Sequence, residues 1–299
     1  MLLSQVPNIA SRMETMLQGM IGAPASSLLW LTIRDAVVWG VVHFTLLAIA
    51  RKLKHIEAKI RGEWANRVIG SLHAAIVGIF CTRALFVEEP FSTYLPARWL
   101  GKSVNYFAGH SNTLDYVLPI SLGYFCYDMV ILTFSTNNPD AADVGVLMFV
   151  HHIGSLIIWP IAYVNNTHHI YLLYLLATEL STPFLHQTTF FLPKAGLADT
   201  AFHKFNGVML ILIFFFLRVC TVPIMAWSLF DASEYFYQLA TVFQFLTVIS
   251  LPIPAALNLF WFLQMIQQAL SIARDSTTEG SVDHISNGKR KLSKKSKQR

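Results

Sequence analysis

Charge is what this chain has least of. Asp, Glu, Lys and Arg make up 13% of its 299 residues, against roughly 25% in an ordinary soluble domain. Hydrophobic residues make up 54%, and the mean hydropathy is +0.49. That deficit excludes a water-soluble globular fold for most of the sequence. Cysteine is scarce too: Cys81, Cys126 and Cys220 are an odd, scattered set that gives neither a disulfide framework nor a metal-binding spacing. All three fall in apolar runs and read as packing residues. HExxH, CxxC, HxxxH and HxxHH spacings are missing, which removes the usual zinc and histidine-ligated di-iron chemistries, so no metal is expected. The DRY and NPxxY motifs of G-protein-coupled receptors are missing as well. Residues 1–27 lack a basic segment followed by a compact apolar core, so a cleavable signal peptide is not expected.

What the chain has instead is long runs with few or no charges, at about 30–50, 68–87, 115–134, 144–164, 169–191, 207–229 and 240–270. Each is long enough to cross a hydrocarbon core of about 30 Å. The backbone must satisfy its own hydrogen bonds there, so the fold class is all-α, a polytopic membrane helix bundle of about seven transmembrane helices. Residues 1–29 form an N-terminal segment in which Ile9, Met13, Met16, Leu17 and Met20 fall at helical spacing, the pattern of an interfacial helix. Residues 30–50 are the first span. The last run is interrupted by Pro252 and Pro254, giving one kinked helix or two shorter pieces.

Most of the 22 lysines and arginines lie in the 51–67 linker, at Lys194 and Lys204, and in the tail. The positive-inside rule therefore puts the C-terminus in the cytosol and the N-terminus in a lumen. The loop at 135–143, with only Asp140 and Asp143, runs against this pattern. Residues 271–299 are polar and low in aromatics and read as a disordered, basic cytosolic tail. Its lysines and arginines account for the formal net charge of +5 and suit anionic lipid headgroups, so no nucleic-acid partner is expected. Lys295 and Lys297 form a KxKxx ending that resembles the dilysine signal for retrieval to the endoplasmic reticulum. Recognition by a coat complex is the corresponding partner expectation.

Five titratable groups fall within the apolar runs: Asp128, His151, His152, Glu179 and Arg218. An unpaired charge there costs on the order of 3 kcal/mol, so they are expected to face inward together, from the cytosolic half to the midplane. His152, Ser155, Trp159, Tyr163 and Asn166 share one helical face, and Glu179, Thr182 and His186 share another. Adjacent histidines point about 100° apart, so one is expected to reach a common cavity while the other anchors or orients it. Asp128 and Arg218 read as a structural ion pair. Tyr163 and Asn166 read as interface anchors, and His43, His168, His169 and His203 as packing or loop residues. The Asn165-Asn166-Thr167 sequon lies too close to the membrane for modification to be expected.

The pattern His151-His152, Ser155, Tyr163, Asn166 and Glu179 resembles the signature of the TLC domain, shared by ceramide synthases, translocating-chain-associating proteins and the ceroid-lipofuscinosis membrane protein. Against the ceramide synthase pattern HHxxTxxLxxxSYxxN followed by HDxxDxxLE, this chain keeps both histidines, Tyr163, Asn166 and Leu185. It has Ser155 for Thr, Ile158 for Leu, Ala162 for Ser, Thr178-Glu179 for His-Asp, Thr182 for the second Asp and His186 for Glu. The run ELSTPF at 179–184 is similar to the small TLC-domain-containing proteins. The resemblance implies a TLC domain over 60–270, six helices with the first span added. It also implies a lipid acyltransferase that draws on acyl-CoA as co-substrate and holds no bound cofactor. The catalytic set would be His151, His152 and Glu179, with Asp128, Ser155, Trp159, Thr182, His186 and Arg218 in the polar cavity. Membrane lipids, a fatty-acyl chain and a second copy of the chain are the expected partners. The alternative is a TLC protein that binds or senses lipids, or escorts proteins, without catalysis.

Overall fold

A computed structural model describes residues 23–135, 142–198, 200–271 and 274. The expected interfacial helix before residue 23 and the Lys295/Lys297 signal lie outside the described residues. Helix α1 is Ala23–Lys52; a 3-10 turn at Ala58–Ile60 leads into α2, Arg61–Val87. Short α3 (Phe91–Trp99) precedes α4 (Leu114–Ser135) and α5 (Ala142–Val164). The next pass is broken: α6 (His169–Ala177), a 3-10 turn (Thr178–Ser181), α7 (Thr182–His186), a π turn (Gln187–Phe191) and α8 (Leu192–Lys194). It is followed by α9 (Ala201–Phe214), a second π turn (Phe215–Val219), α10 (Thr221–Asp231) and short α11 (Ser233–Phe236). Finally α12 (Thr241–Ser250) meets α13 (252–271) at Leu251.

Each expected span coincides with a helical stretch. Among the described residues, five are long and apolar enough to cross a membrane: Ser27–Lys52, Ala58–Val87, Leu114–Thr133, Ala201–Asp231 and Thr241–Ser271. The other two are α5, apolar over Met148–Val164, and the broken pass from His169 to Lys194. The protein is a polytopic helical membrane bundle. The last span is one kinked helix.

Proline explains most of the irregularity. It has no N–H to give to the carbonyl four residues back, and its ring crowds that carbonyl. Before Pro183, the Glu179 carbonyl instead accepts from Thr182 N–H, closing a 3-10 turn. Before Pro193 and Pro223 the chain widens into π turns, with Leu192 N–H donating to the Gln187 carbonyl and Cys220 N–H to that of Phe215. Pro119 and Pro160 sit within regular helices. Two of the three irregular turns carry an intramembrane charge, Glu179 and Arg218.

The core gathers around α4. Leu114, Leu118 and Leu122 pack with Val77 and Ala84 of α2 and with Leu173 and Leu176 of α6, all buried. Small residues set the spacing, as expected where lipid gives no hydrophobic drive between helices. A Cβ on Gly123 of α4 would stand 2.7 Å from the Ala36 nitrogen of α1, and one on Gly78 of α2 would stand 2.9 Å from the Leu180 nitrogen. The second contact holds the Glu179 turn against α2. At the far end, the Glu88 carboxylate accepts from Ser111 Oγ (2.7 Å) and Thr113 N (3.1 Å), capping the start of α4.

Candidate functional site

One face of α5 opens onto a cavity of about 210 Å³. That face is His151, Gly154, Ser155 and Ile158, at the i, i+3, i+4, i+7 spacing of a helix, with Trp159 at its edge. The opposite wall is the kinked last pass, with Ile253, Pro254, Leu257 and Trp261. Thr178, Glu179 and Arg218 close the polar end. A cavity of about 150 Å³ is enough to hold a benzene-sized ligand, and this one is larger and mostly apolar.

The polar end is built around Arg218. Its Nη2 donates to Glu179 Oε1 at 3.3 Å, Nε to Ser181 Oγ at 2.9 Å and Nη1 to Asn258 Oδ1 at 3.3 Å. The Phe214 ring lies 5.3 Å from its Cζ. Thr182 Oγ1 donates to Glu179 Oε2 at 2.9 Å. Both oxygens of the carboxylate and three guanidinium nitrogens are therefore committed to protein partners, and the pair is largely buried, with 12% and 19% side-chain exposure.

His152 belongs to a second cluster on the other side of α5. Its Nδ1 lies 3.6 Å from Asp128 Oδ2, beyond hydrogen-bond distance, with the two side chains 2% and 7% exposed. The ring stacks on Phe125 at 4.7 Å. Asp128 Oδ1 accepts from Asn66 Nδ2 at 3.1 Å, and Tyr127 donates to Asn66 Oδ1 at 3.1 Å. The one hydroxyl proton of Tyr127 is thus used, so His43 Nδ1 donates to the Tyr127 oxygen, 2.6 Å away. His186 is elsewhere again. Its Nδ1 faces Ser71 Oγ (2.9 Å) and the Arg67 carbonyl (3.0 Å) on α2. Gly70 leaves room for the ring, since a Cβ there would lie 2.8 Å from His186 Cε1.

A family model for the TLC domain matches residues 63–267. The chain belongs to the TLC family. TLC domain-containing protein 4-B of Danio rerio is 26% identical over 209 residues, covering 68% of this chain and 72% of that protein. TLC domain-containing protein 4 of Homo sapiens is 24% identical over 240 residues, covering 76% and 81%. TLC domain-containing protein 4 A of Dictyostelium discoideum is 23% identical over 232 residues, covering 77% and 83%. No solved structure matches the chain. Membership of the TLC family supports a membrane lipid-related function and a multi-pass membrane protein.

Within this TLC domain the five intramembrane titratable groups do not meet in one place. His151, Glu179 and Arg218 share the cavity with Ser155 and Trp159, and Thr182 reaches it through Glu179. Asp128 and His152 stand apart with Asn66, and Asp128 does not pair with Arg218, whose carboxylate partner is Glu179. The polar stripe through His152 is likewise split. Grouping by polarity joined His152 to Ser155, whereas a cavity with apolar walls is lined by Gly154 and Ile158, which carry no polar signal. His186 lies seven residues beyond Glu179, about 10 Å along a helix, so it faces α2 at another level. Three of the histidines read as packing or loop residues tie elements together: His168 Nε2 contacts Thr247 Oγ1 at 2.7 Å, His169 Nδ1 accepts from Ser111 N at 3.0 Å, and His203 Nε2 donates to the Thr188 carbonyl at 2.9 Å. Tyr163 donates to Asp115 Oδ1 at 2.7 Å. Among the described residues no group of three or more His, Cys, Asp or Glu side chains is placed to hold a metal.

Sequence reasoning missed Asn258 and Trp261. Asn258 follows the Pro252-x-Pro254 kink in an otherwise apolar turn, a signal that could have found it. The two histidines should separate in stability. His152→Ala removes a ring that is 2% exposed and stacked on Phe125 and should cost on the order of 2–4 kcal/mol in lost packing, whereas His151→Ala, half-buried at the cavity edge, should cost less. Thermal melts followed by fluorescence-detected size exclusion would show the order, and the reverse order would contradict this assignment of faces.

Proposed function

We propose that this TLC protein is a lipid acyltransferase of the endoplasmic-reticulum membrane, moving an acyl group from acyl-CoA to a lipid acceptor with His151 as the base. The carrying observation is that His151 opens onto an apolar cavity whose far wall is a kinked helix and whose polar end holds Glu179 and Arg218. The walls suit a hydrocarbon chain. The site lies within the span, so water is kept from a reactive thioester. In the proposed step the acceptor's proton passes to the imidazole as its heteroatom bonds the acyl carbon. The carbon–sulfur bond breaks, and the proton then goes to the departing coenzyme A thiolate. Arg218 holds Asn258 through its Oδ1, and the amide nitrogen of Asn258 supplies a fixed donor at the head of the cavity. His152 acts through its neighbour, fixing the turn of α5 that presents His151.

One observation favours the non-catalytic alternative, a lipid-binding TLC protein. Among the described residues the His151 side chain makes no hydrogen bond, and the oxygens of Glu179 are taken by Arg218 and Thr182, so no carboxylate orients the imidazole. Turnover separates the two readings. With labelled acyl-CoA in purified membranes, His151→Ala should lower transfer about 10²-fold or more while the protein stays folded, and Gly154→Leu, built where no atom lies within 4 Å, should block it by filling the cavity. Folded His151→Ala that supports normal lipid composition in cells lacking the protein would refute catalysis and leave binding.

Residence in the endoplasmic reticulum is proposed from the Lys295/Lys297 ending. Replacing both lysines with alanine should release the protein to the Golgi by microscopy; unchanged localisation would reduce the tail to a basic patch.

A further inference from the structure

The charges at the polar end of the cavity cancel. Glu179 and Arg218 are the carboxylate and the guanidinium among its lining residues, and they are bonded to each other. Their other bonds go to Ser181, Asn258 and Thr182. A ligand bearing an ammonium or a carboxylate would enter a region of no net charge and would gain an ionic partner only by breaking this pair, which would strand its other member.

Ser250 and the Trp159 and Trp261 indoles also line the cavity, and beside the Glu179–Arg218 pair the groups best placed to meet a ligand's head are Asn258 and His151. Asn258 accepts from Arg218 through Oδ1, and among the described residues its Nδ2 makes no hydrogen bond, although the residue is only 7% exposed. Among the described residues the His151 ring makes no hydrogen bond, and it lines the same cavity. One group is an amide donor and the other can accept through an unprotonated ring nitrogen. A hydroxyl suits both, since its proton goes to the imidazole while its oxygen accepts from the amide. The remaining wall, from Trp159 to Leu257 and Trp261, takes a chain. The cavity is also flanked by residues that face outward: Val150 is 58% exposed and Ile253 51%. A lipid can therefore enter sideways from the bilayer without passing its head through water.

We infer that the cavity selects an uncharged, hydroxyl-bearing single-chain lipid, held at its head by Asn258 and His151 and admitted from the bilayer between Val150 and Ile253. This rests on the lipid-cavity part of the proposed function. Where the acyl-transfer step also holds, that hydroxyl is the acceptor whose proton His151 removes.

Trp159 and Trp261 line the cavity, so bromine on a bound chain would quench them. The full-length protein in nanodiscs would be titrated with 9,10-dibromostearyl alcohol, the matching carboxylate and the matching amine. Saturable quenching by the alcohol is expected at concentrations at least about tenfold lower than for either charged analogue, and it should shrink when both tryptophans are phenylalanine. Asn258→Leu should abolish the preference for the alcohol. Glu179→Gln, which frees Arg218, should shift it toward the carboxylate. Equal quenching by all three heads, or a carboxylate preferred by the wild-type protein, would overturn the inference while leaving a lipid cavity. Absence of saturable quenching by any of the three would overturn the lipid-cavity reading as well. The wild-type ranking decides the matter even if a variant fails to fold.

Discussion

A guanidinium inside a membrane has to be paired, and much of this structure follows from how Arg218 meets that requirement. Its partners come from two other passes: Glu179 and Ser181 from the broken fifth pass, and Asn258 from the last. Neither charge is delivered by a regular α-helix. Glu179 sits on a 3-10 turn ahead of Pro183, and Arg218 on a π turn ahead of Pro223. Each proline removes one backbone donor, and the helix adjusts by tightening or widening the turn that carries the charge. The last pass crosses the mouth of the resulting space. Its kink at Leu251 and Pro252 places Ile253, Pro254 and Leu257 across from α5. The cavity is thus what remains between helices that are held together at one polar point.

The two clusters divide the labour. Asp128, Asn66, Tyr127 and His43 join α4, α2 and α1 in a buried hydrogen-bonded chain, and His152 of α5 lies 3.6 Å from Asp128 at its end. Interhelical contacts of this kind hold membrane helices together, each at modest strength. His152 stacks on Phe125 of α4, while His151 meets the same ring edge-on at 6.1 Å and lines the cavity beside it. Adjacent histidines in one helix thereby have different surroundings: one is enclosed by aromatic rings and a carboxylate, the other stands at an apolar void.

Much of this was legible in the sequence, for physical reasons. Scarcity of charge over long runs forces helices in lipid, and the spans at 30–50, 68–87, 115–134, 207–229 and 240–270 all coincide with helices long and apolar enough to cross. The cost of burying charge singled out Glu179 and Arg218. What could not be read was partner choice, because Asp128 and Glu179 are equivalent as carboxylates until packing decides which one meets the arginine. The face of α5 was also misjudged. Polarity grouped His152 with Ser155, while the cavity is marked by Gly154, which no hydropathy pattern reveals. His186 was grouped with Glu179 by helical spacing, although the Gly70 gap that receives it lies on another helix.

The most direct measurement is where a lipid lies in the protein. A photoreactive stearyl alcohol with a diazirine in mid-chain, crosslinked in native membranes and traced by peptide mass spectrometry, should label residues 150–159 and 249–261, the two walls of the cavity, and Gly154→Leu should suppress that labelling. Adducts confined to outward-facing side chains such as Phe216, Phe245 and Val208, which lie on the exposed surface of the bundle, and unaffected by Gly154→Leu, would show that the space beside His151 does not hold lipid.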